Sequence, residues 1–458
     1  MVAAGPVCPA RAAAVSAQPL TDARDTTGPL DLVEASLEQR DVRMSLRLTA
    51  SGPWSHTDLA AAPGRAVCVT LTPGDGASGR GRICVTTSKR KPALSYTPLA
   101  ADGSPGKARL LAARVSQRSS GLLQASFLPA AAGLGLGAFT WSLQSTWADG
   151  AACARGCADR LPDAGEIPAQ LGLLGVPACF GAAARDPSQP CDNPDLRTSV
   201  EPSPSRPKVL LDPYCDRQTH PGLMTTCAFG APAQDAKGTF ALVGDSHASS
   251  LKTPLMAVTL TKRWRGVSII RATCPATQAA RPILRTAARI SQCVRWNRQV
   301  LSWLADHREV QTVFLSAYAG ARVRPQGAKS MFATMRAGYR DEIRRLLRIV
   351  RRVIVVRDIP TAAPGHLRCV RDAMKDRQPM AGACTQSRRR ALQHDALAAA
   401  ASDLRGPRVK LVDLSDRFCD AERCFSVVGG ALVHHDHTHM TTAFGATLAP
   451  FVLRALGD

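Results

Sequence analysis

The feature that most constrains the fold is an alternation of short apolar segments with amphipathic segments, which begins near residue 238. The apolar segments are predicted strands at residues 240–243, 267–270, 313–317, 353–356 and 409–412. The segments that follow them have helical periodicity and cover residues 250–264, 283–305, 331–352, 387–404 and 442–456. Strand, helix and strand at this spacing predict a parallel sheet with helices on both faces. We therefore expect a flavodoxin-like α/β domain with five parallel strands over residues 236–458, and functional residues at the carboxyl ends of its strands.

The sequence before this domain has a different pattern. Residues 29–149 contain apolar residues at period two, as in Met44, Leu46 and Leu48, and turns rich in glycine and proline separate these segments. This pattern predicts a small all-β sandwich. Residues 150–235 are rich in cysteine and proline and have little periodicity, so we expect a connector that its cysteines attach to a neighbouring domain.

The sequence contains 15 cysteines, and all but Cys8 have a close partner along the chain. The candidate disulfide partners are Cys68 and Cys84, Cys153 and Cys157, Cys179 and Cys191, Cys215 and Cys227, Cys274 and Cys293, Cys369 and Cys384, and Cys419 and Cys424. A zinc site would use two short cysteine doublets in one segment, and this sequence has none. Disulfides formed in an oxidising compartment are therefore the preferred interpretation.

The N-terminal segment, residues 1–28, is interpreted as a signal-peptide remnant or a disordered segment. Residues 12–17 resemble the small-residue end of a signal peptide, and Cys8 would be removed with it. The longest mostly apolar stretch, residues 128–139, is too short and too rich in glycine to cross a bilayer, so no transmembrane segment is predicted. We therefore expect an extracellular, periplasmic or cell-envelope location.

Basic residues exceed acidic residues by 58 to 36, which gives a formal net charge of +22. Such an excess is compatible with a polyanionic partner: nucleic acid, an anionic membrane surface or an acidic glycan. The basic residues are scattered, however, and their densest run, residues 340–352, reads as the solvated face of an amphipathic helix. No aromatic residues interleave with these arginines, so we predict no nucleic-acid partner.

The first predicted strand of the α/β domain runs directly into the turn Gly244-Asp245-Ser246-His247. Glycine permits a sharp bend, and the serine hydroxyl would then stand at a strand end beside a helix N-terminus. The backbone N–H groups there favour developing negative charge, as an oxyanion hole requires. On its own, the tripeptide Gly244-Asp245-Ser246 favours a simple turn in which Asp245 or Ser246 caps a helix.

A second polar cluster lies ahead of the last predicted helix, at residues 434–439, and contains four histidines and Asp436. Asp436 and His439 are three residues apart, so one helical turn would bring them to the same face. The carboxylate would then orient the imidazole, and the imidazole would accept the proton of Ser246. The cluster has two other interpretations. It could be a metal site, although the order of its residues matches no zinc signature, or it could be a solvated loop. We predict no metal and no cofactor.

Residues 210–458 resemble the SGNH (GDSL-like) hydrolase superfamily, and more closely the SGNH domains fused to acyltransferase-3 membrane proteins, which O-acetylate surface polysaccharides. The matching features are the block at residues 242–248, Cys274-Pro275, Cys419 with Cys424, and Asp436 and His439 followed by Thr441 and residues 444–446. The resemblance implies that Ser246 is the nucleophile, His439 the general base and Asp436 its orienting partner.

Two blocks of the superfamily are missing. The glycine block is absent after the second strand, where Thr273 or Cys274 would supply a backbone donor beside that of Ser246. The block with an oxyanion-hole asparagine is absent after the third strand, which ends Ala317-Tyr318. The composition of the oxyanion hole is therefore open.

The predicted function is that of a secreted serine-dependent O-acyltransferase or esterase, which acts on acyl (chiefly acetyl) esters of cell-surface or extracellular glycans. Its partners would be a glycan or a small acyl ester, and a separate membrane acyltransferase that delivers the acyl group. The alternative is a secreted glycan-binding protein without enzymatic activity, in which the SGNH scaffold is degenerate and the β sandwich binds the glycan.

Overall fold

The computed structural model describes residues 19–74, 80–117, 121–148, 153, 157–208, 214–222, 224–279, 281–327 and 329–457. Cys8 and the segment predicted to resemble a signal peptide lie outside these ranges. Among the helices of the described ranges, none combines the length and the apolarity that a bilayer crossing requires.

Antiparallel strands make up more than half of the described residues up to Leu171. They are β1 (Leu20–Thr21), β2 (Leu32–Arg40), β3 (Arg43–Ala50), β4 (Ala66–Pro73), β5 (Gly81–Ser88), β6 (Lys91–Pro98), β7 (Arg109–Leu111), β8 (Ala113–Gln117), β9 (Leu122–Phe127), β10 (Gly137–Trp147), β11 (Cys157–Leu161) and β12 (Ile167–Leu171). One sheet has the order β1-β2-β3-β9-β8, and a second has the order β11-β10-β4-β5-β6-β7, with β12 also paired to β10. The strands thus begin before residue 29 and continue past residue 149, into the segment predicted to be a connector.

Period-two burial explains these strands. In β3, Met44, Leu46 and Leu48 are buried and alternate with more exposed residues. They join Leu71 and Trp141 of the second sheet in one apolar cluster. Each sheet therefore buries one face against the other.

The rest of the chain is mixed α/β. Its strands are β13 (Asp216–Thr219), β14 (Thr225–Gly230), β15 (Gly238–Gly244), β16 (Trp264–Ile270), β17 (Val310–Ser316), β18 (Arg352–Val356), β19 (Gln386–Ser387), β20 (Val409–Val412), β21 (Arg423–Cys424), β22 (Val427–Val428) and β23 (Ala431–Leu432). The α-helices of the described residues are α1 (His56–Ala61), α2 (Ser246–Ser250), α3 (Lys252–Lys262), α4 (Ala287–Asp306), α5 (Met331–Leu346), α6 (His366–Lys375), α7 (Arg388–Ala391), α8 (Ala396–Asp403), α9 (Ser415–Phe418), α10 (Thr442–Thr447) and α11 (Ala449–Leu456).

The main sheet of this region has the order β13-β14-β16-β15-β17-β18-β20. Five neighbouring strands of this sheet run parallel: β16, β15, β17, β18 and β20. Beyond β16, the strands β14 and β13 continue the sheet with antiparallel pairing. The sheet is therefore wider than the five strands predicted. Its central strand β15 is buried on both faces: Phe240 and Leu242 belong to one apolar cluster, and Ala241 and Val243 to another.

Two predicted helices are each divided in the structure. The segment predicted as one helix at 387–404 forms α7 and α8, because the Asp395 side chain accepts the N–H groups of Leu397 and Ala398 and so begins a new helix. The segment at 442–456 forms α10 and α11, and Pro450 lies in the first turn of α11, where a missing N–H is tolerated. The predicted helix at 331–352 ends at Leu346.

All seven predicted cysteine pairs lie at disulfide distance. Each pair is local, and the widest separation along the chain is 19 residues, between Cys274 and Cys293. The expectation that cysteines attach residues 150–235 to a neighbouring domain is therefore wrong. Hydrogen bonds make that attachment instead: Gly181 N–H donates to the Gly429 carbonyl (3.0 Å), and Ala182 N–H donates to Thr447 Oγ1 (2.9 Å).

Candidate active site

Strand β15 ends in a turn that only glycine can form. Gly244 has φ of +152°, and a Cβ atom there would lie 2.0 Å from the Ser316 carbonyl oxygen of β17. Asp245 follows as the N-cap of α2, with extended backbone, and Ser246 is the first residue of the helix. An N–H group at this position has no partner within its helix, so it is available to an anion.

The carboxylate of Asp245 holds the turn in place. It is buried and accepts the N–H of His247 (2.9 Å) and the N–H of Tyr318 (3.0 Å), so it joins the end of β15 to the end of β17. Burial raises the pKa of Asp245, and the two N–H donors oppose that rise. Asp245 therefore caps the helix, as one interpretation of the sequence predicted. The Ser246 side chain is not needed as the cap, and Ser246 lines the cavity described below.

Asp436 and His439 are in direct contact in the loop before α10. His439 Nδ1 lies 3.0 and 2.9 Å from the two carboxylate oxygens of Asp436, which also accepts the N–H groups of Thr438 and His439. Burial by itself would raise the pKa of Asp436, but these hydrogen bonds outweigh it and hold the pKa well below its usual value. Asp436 is therefore ionised over the working pH range and fixes the orientation of the His439 ring.

Ser246 and His439 meet in one cavity of about 420 Å³, which lies at the carboxyl ends of the parallel strands. His439 Nε2 is shielded from solvent and has no hydrogen-bond partner among the described residues. The Ser246 hydroxyl is therefore not hydrogen-bonded to it in this structure, which is common before substrate binds. The ring of His247, the next residue after Ser246, lies 4.7 Å from the ring of His439.

The structure adds a buried histidine–aspartate pair that the sequence analysis missed. His247 Nδ1 lies 2.6 Å from Asp358 Oδ1, and both side chains are buried. Asp358 also accepts the Ala319 N–H (2.7 Å), and its own N–H donates to Asp395 (2.9 Å). Asp358 comes two residues after β18, at the edge where the sheet type places functional residues, and that position was the available signal.

The remaining histidines of the cluster have separate environments. His434 is fully buried, its Nε2 lies 2.6 Å from the Pro360 carbonyl oxygen, and desolvation lowers its pKa to about 3. His435 stacks on His439, and the side chains of His435, Asp436 and His439 offer ligand atoms within 4.8 Å of one another. A metal ion bound there would compete with the contact between His439 Nδ1 and Asp436.

The two candidates for an additional oxyanion donor differ in access. Thr273 lines the cavity and has a positive φ of 64°, whereas Cys274 is buried and does not line it. The Cys274 N–H already donates to the Arg271 carbonyl (3.1 Å). The end of β17 offers no substitute, because the Tyr318 N–H donates to Asp245.

The family of the chain follows from comparison with known proteins. The family model described as "SGNH domain (fused to AT3 domains)" matches residues 214–454, which is more than half of the sequence. The chain belongs to this family of SGNH domains, and family membership supports an acyl-transfer or esterase-type role.

Comparison with individual proteins adds less. One similar solved structure is that of the periplasmic domain of a Salmonella ser. Paratyphi A lipopolysaccharide acetyltransferase. The two are 12% identical over 49% of this chain and 85% of that chain, with a TM-score of 0.37. No curated protein matches the chain.

Proposed function

We propose that the protein is a secreted serine-dependent O-acyltransferase or esterase, which acts on acyl esters, chiefly acetyl esters, of cell-surface or extracellular glycans through an acyl-Ser246 intermediate. The observation that carries the proposal is the shared cavity: Ser246 lies there together with His439, whose ring is held by Asp436. The seven cysteine pairs support a location in an oxidising compartment.

In the first step Ser246 Oγ attacks the carbonyl carbon of an acyl ester, and His439 Nε2 accepts the Oγ proton. Asp436 stabilises the imidazolium that forms, and His439 then donates the proton to the leaving alcohol. In the second step the hydroxyl of a sugar, or water, loses its proton to His439 and attacks the acyl carbon. The bond to Ser246 Oγ breaks, and the proton returns to the serine.

The negative charge of each tetrahedral intermediate needs donors aimed at the cavity. We assign this role to the backbone N–H groups of Ser246 and Thr273, because Ser246 begins a helix and Thr273 lines the cavity. Loss of one oxyanion donor typically costs on the order of 10²–10³ in kcat. A hole without the superfamily's asparagine is therefore expected to support slow turnover.

A fluorophosphonate probe tests the proposal directly, because it reacts with an activated serine. We expect the disulfide-intact protein to be labelled at Ser246 and the Ser246→Ala variant to remain unlabelled. Ser249→Ala, a substitution on the same short helix outside the cavity lining, is the matched control and should label normally. Absence of labelling in the native protein, or equal labelling of Ser246→Ala, would contradict the proposal.

The second candidate, a glycan-binding protein without enzymatic activity, is favoured by a groove on the first sheet. This groove has a volume of about 940 Å³ and is lined by polar and charged side chains, among them Glu34, Arg47 and Gln124. Specific glycan binding by a native protein that neither labels nor hydrolyses esters would favour this candidate.

A further inference from the structure

Two loops border the cavity that contains Ser246. Residues 281–285 precede α4, and residues 322–324 follow β17 by a short distance. Pro282 and Val323 form an antiparallel bridge, and the Ile283 N–H donates to the Arg322 carbonyl (2.8 Å). The bridge brings side chains that are distant in sequence to one side of the cavity.

Three exposed arginines line this cavity: Arg285 from the loop before α4, Arg289 from the first turn of α4, and Arg322 from the second loop. None of the three guanidinium groups forms an ion pair with a residue in the described part of the chain. Among the described residues of the lining, Asp245 is the single carboxylate, and it is buried and already accepts two N–H groups. The lining therefore offers these three arginines no free carboxylate partner.

Of the three, Arg289 is close enough to a fourth arginine, Arg271, to affect its charge. Burial, and after it the charge of Arg289, lowers the pKa of the neighbouring Arg271. Arginines that repel one another favour an anionic ligand, which removes the repulsion and accepts paired N–H donors from each guanidinium group.

Apolar side chains lie between these charges. Ile283 is 45% exposed, and Leu284 next to it also lines the cavity. An exposed isoleucine beside arginines suits a ligand that has apolar C–H faces as well as charges. An anionic sugar has both, whereas a lipid headgroup layer would need a broad and flat basic surface.

We propose that the acyl acceptor is an anionic glycan, a sugar chain with carboxylate or phosphate groups, which Arg285, Arg289 and Arg322 hold with a free hydroxyl directed at Ser246. This inference rests on the proposed acyl-serine chemistry. The acceptor hydroxyl oxygen forms the new ester bond to the acyl carbon, the bond between that carbon and Ser246 Oγ breaks, and His439 carries the proton from the acceptor to the serine. The acyl donor is an activated acyl ester.

The test uses the full chain with 4-nitrophenyl acetate as donor. The acceptors are oligogalacturonate, a phosphorylated mannan oligosaccharide and its neutral counterpart, and mass spectrometry measures acetyl transfer to each. We expect transfer to one or both charged acceptors to exceed transfer to the neutral one, and the preference to decrease as ionic strength rises. The triple variant Arg285→Gln, Arg289→Gln, Arg322→Gln should reduce the ratio of charged to neutral kcat/KM by about 10-fold.

The control variant replaces Arg344, Arg348 and Arg351 with glutamine. These arginines are exposed and lie between the last turn of α5 and the start of β18, away from the carboxyl ends of the strands. The control variant should keep the full preference. Equal transfer to charged and neutral acceptors by a wild-type protein that still labels at Ser246 would overturn the inference and leave the proposed chemistry intact. A second result would also overturn the inference: the wild-type protein shows no acceptor preference but binds phosphatidylglycerol vesicles, and the triple variant does not bind them. That result would assign the arginines to a membrane surface. Absence of both labelling and transfer would instead contradict the proposed function.

Discussion

Neighbouring residues at the end of β15 have separate tasks. Gly244 provides the bend, Asp245 accepts backbone N–H groups from two strand ends, Ser246 lines the cavity, and His247 turns inward to Asp358. Nearby residues also differ in the loop before α10, late in the sequence, where His434 is buried and His439 lines the same cavity as Ser246. Residue type alone does not identify the reactive group, because burial and hydrogen bonding differ between adjacent positions.

The choice among the histidines can be tested by substitution. We expect His439→Ala to lower kcat for 4-nitrophenyl acetate by at least about 10³-fold, because Ser246 then has no base. His437 is exposed and lies outside the cavity lining, so His437→Ala should keep kcat within about threefold of wild type. Steady-state kinetics on both variants decides the matter, and the reverse ranking would show that the wrong histidine was assigned.

At the scale of secondary-structure elements, carboxylates connect the ends of the parallel strands. Asp245 joins β15 to β17, and Asp358 after β18 binds both His247 and the Ala319 N–H. Asp395, which caps α8, accepts the N–H of Asp358. These contacts fix the strand ends relative to one another, so the serine turn has a rigid support.

The buried pair of His247 and Asp358 should make stability depend on pH. Burial opposes protonation of His247, but the hydrogen bond and the charge of Asp358, together with Asp245 and Asp436, outweigh it and raise the pKa of His247 above 6.5. The folded protein then binds this proton more tightly than the unfolded chain does. The stabilisation is full below pH 6.5 and is lost as the pH rises through the raised pKa.

We therefore expect Asp358→Asn to lower the free energy of unfolding by about 3 kcal/mol at pH 6 and by less at pH 9. Urea denaturation followed by tryptophan fluorescence at both pH values measures this difference. Asp413→Asn, a substitution after the neighbouring strand β20, is the control: the pKa of Asp413 is lowered, so its contribution changes only in acid. Equal losses at pH 6 and pH 9 for Asp358→Asn would contradict the prediction.

At the scale of the whole molecule, apolar packing and polar contacts connect the β region to the α/β region. Val42 and Leu128 belong to the same apolar cluster as Phe240 of the central strand. Tyr214 is buried, and its hydroxyl donates to Ser126 Oγ (3.3 Å). The disulfides have no part in this connection, because each closes a loop within its own region.

Reduction should therefore loosen loops and leave the two regions in contact. We expect alkylation of native, unreduced protein to modify none of the fourteen paired cysteines, and alkylation after reduction to modify all of them. Loss of one disulfide that closes a loop of about 15 residues costs about 3 kcal/mol in the chain-entropy description, so the melting temperature should also decrease. Intact-mass measurement and peptide mapping check the count, and full alkylation without reductant would contradict it.

The sequence by itself determined most of the strands of the main sheet, the seven cysteine pairs and the sharp turn at Gly244. These features depend on periodicity, on close spacing or on one residue type, and each of these is local. The sequence also pointed to Asp436 and His439 as partners, since three residues separate them. The breaks at Asp395 and near Pro450 escaped it, because helical periodicity continued through both.

The tertiary structure alone decided which distant residues share the cavity. His247 and Asp358 are 111 residues apart, and their contact depends on the order of β15, β17 and β18 in the sheet. The arginines that looked scattered in the sequence are another example, because the bridge between Pro282 and Val323 brings Arg285 and Arg322 to one cavity. Strand order and loop pairing result from packing of the whole chain, and no local pattern encodes them.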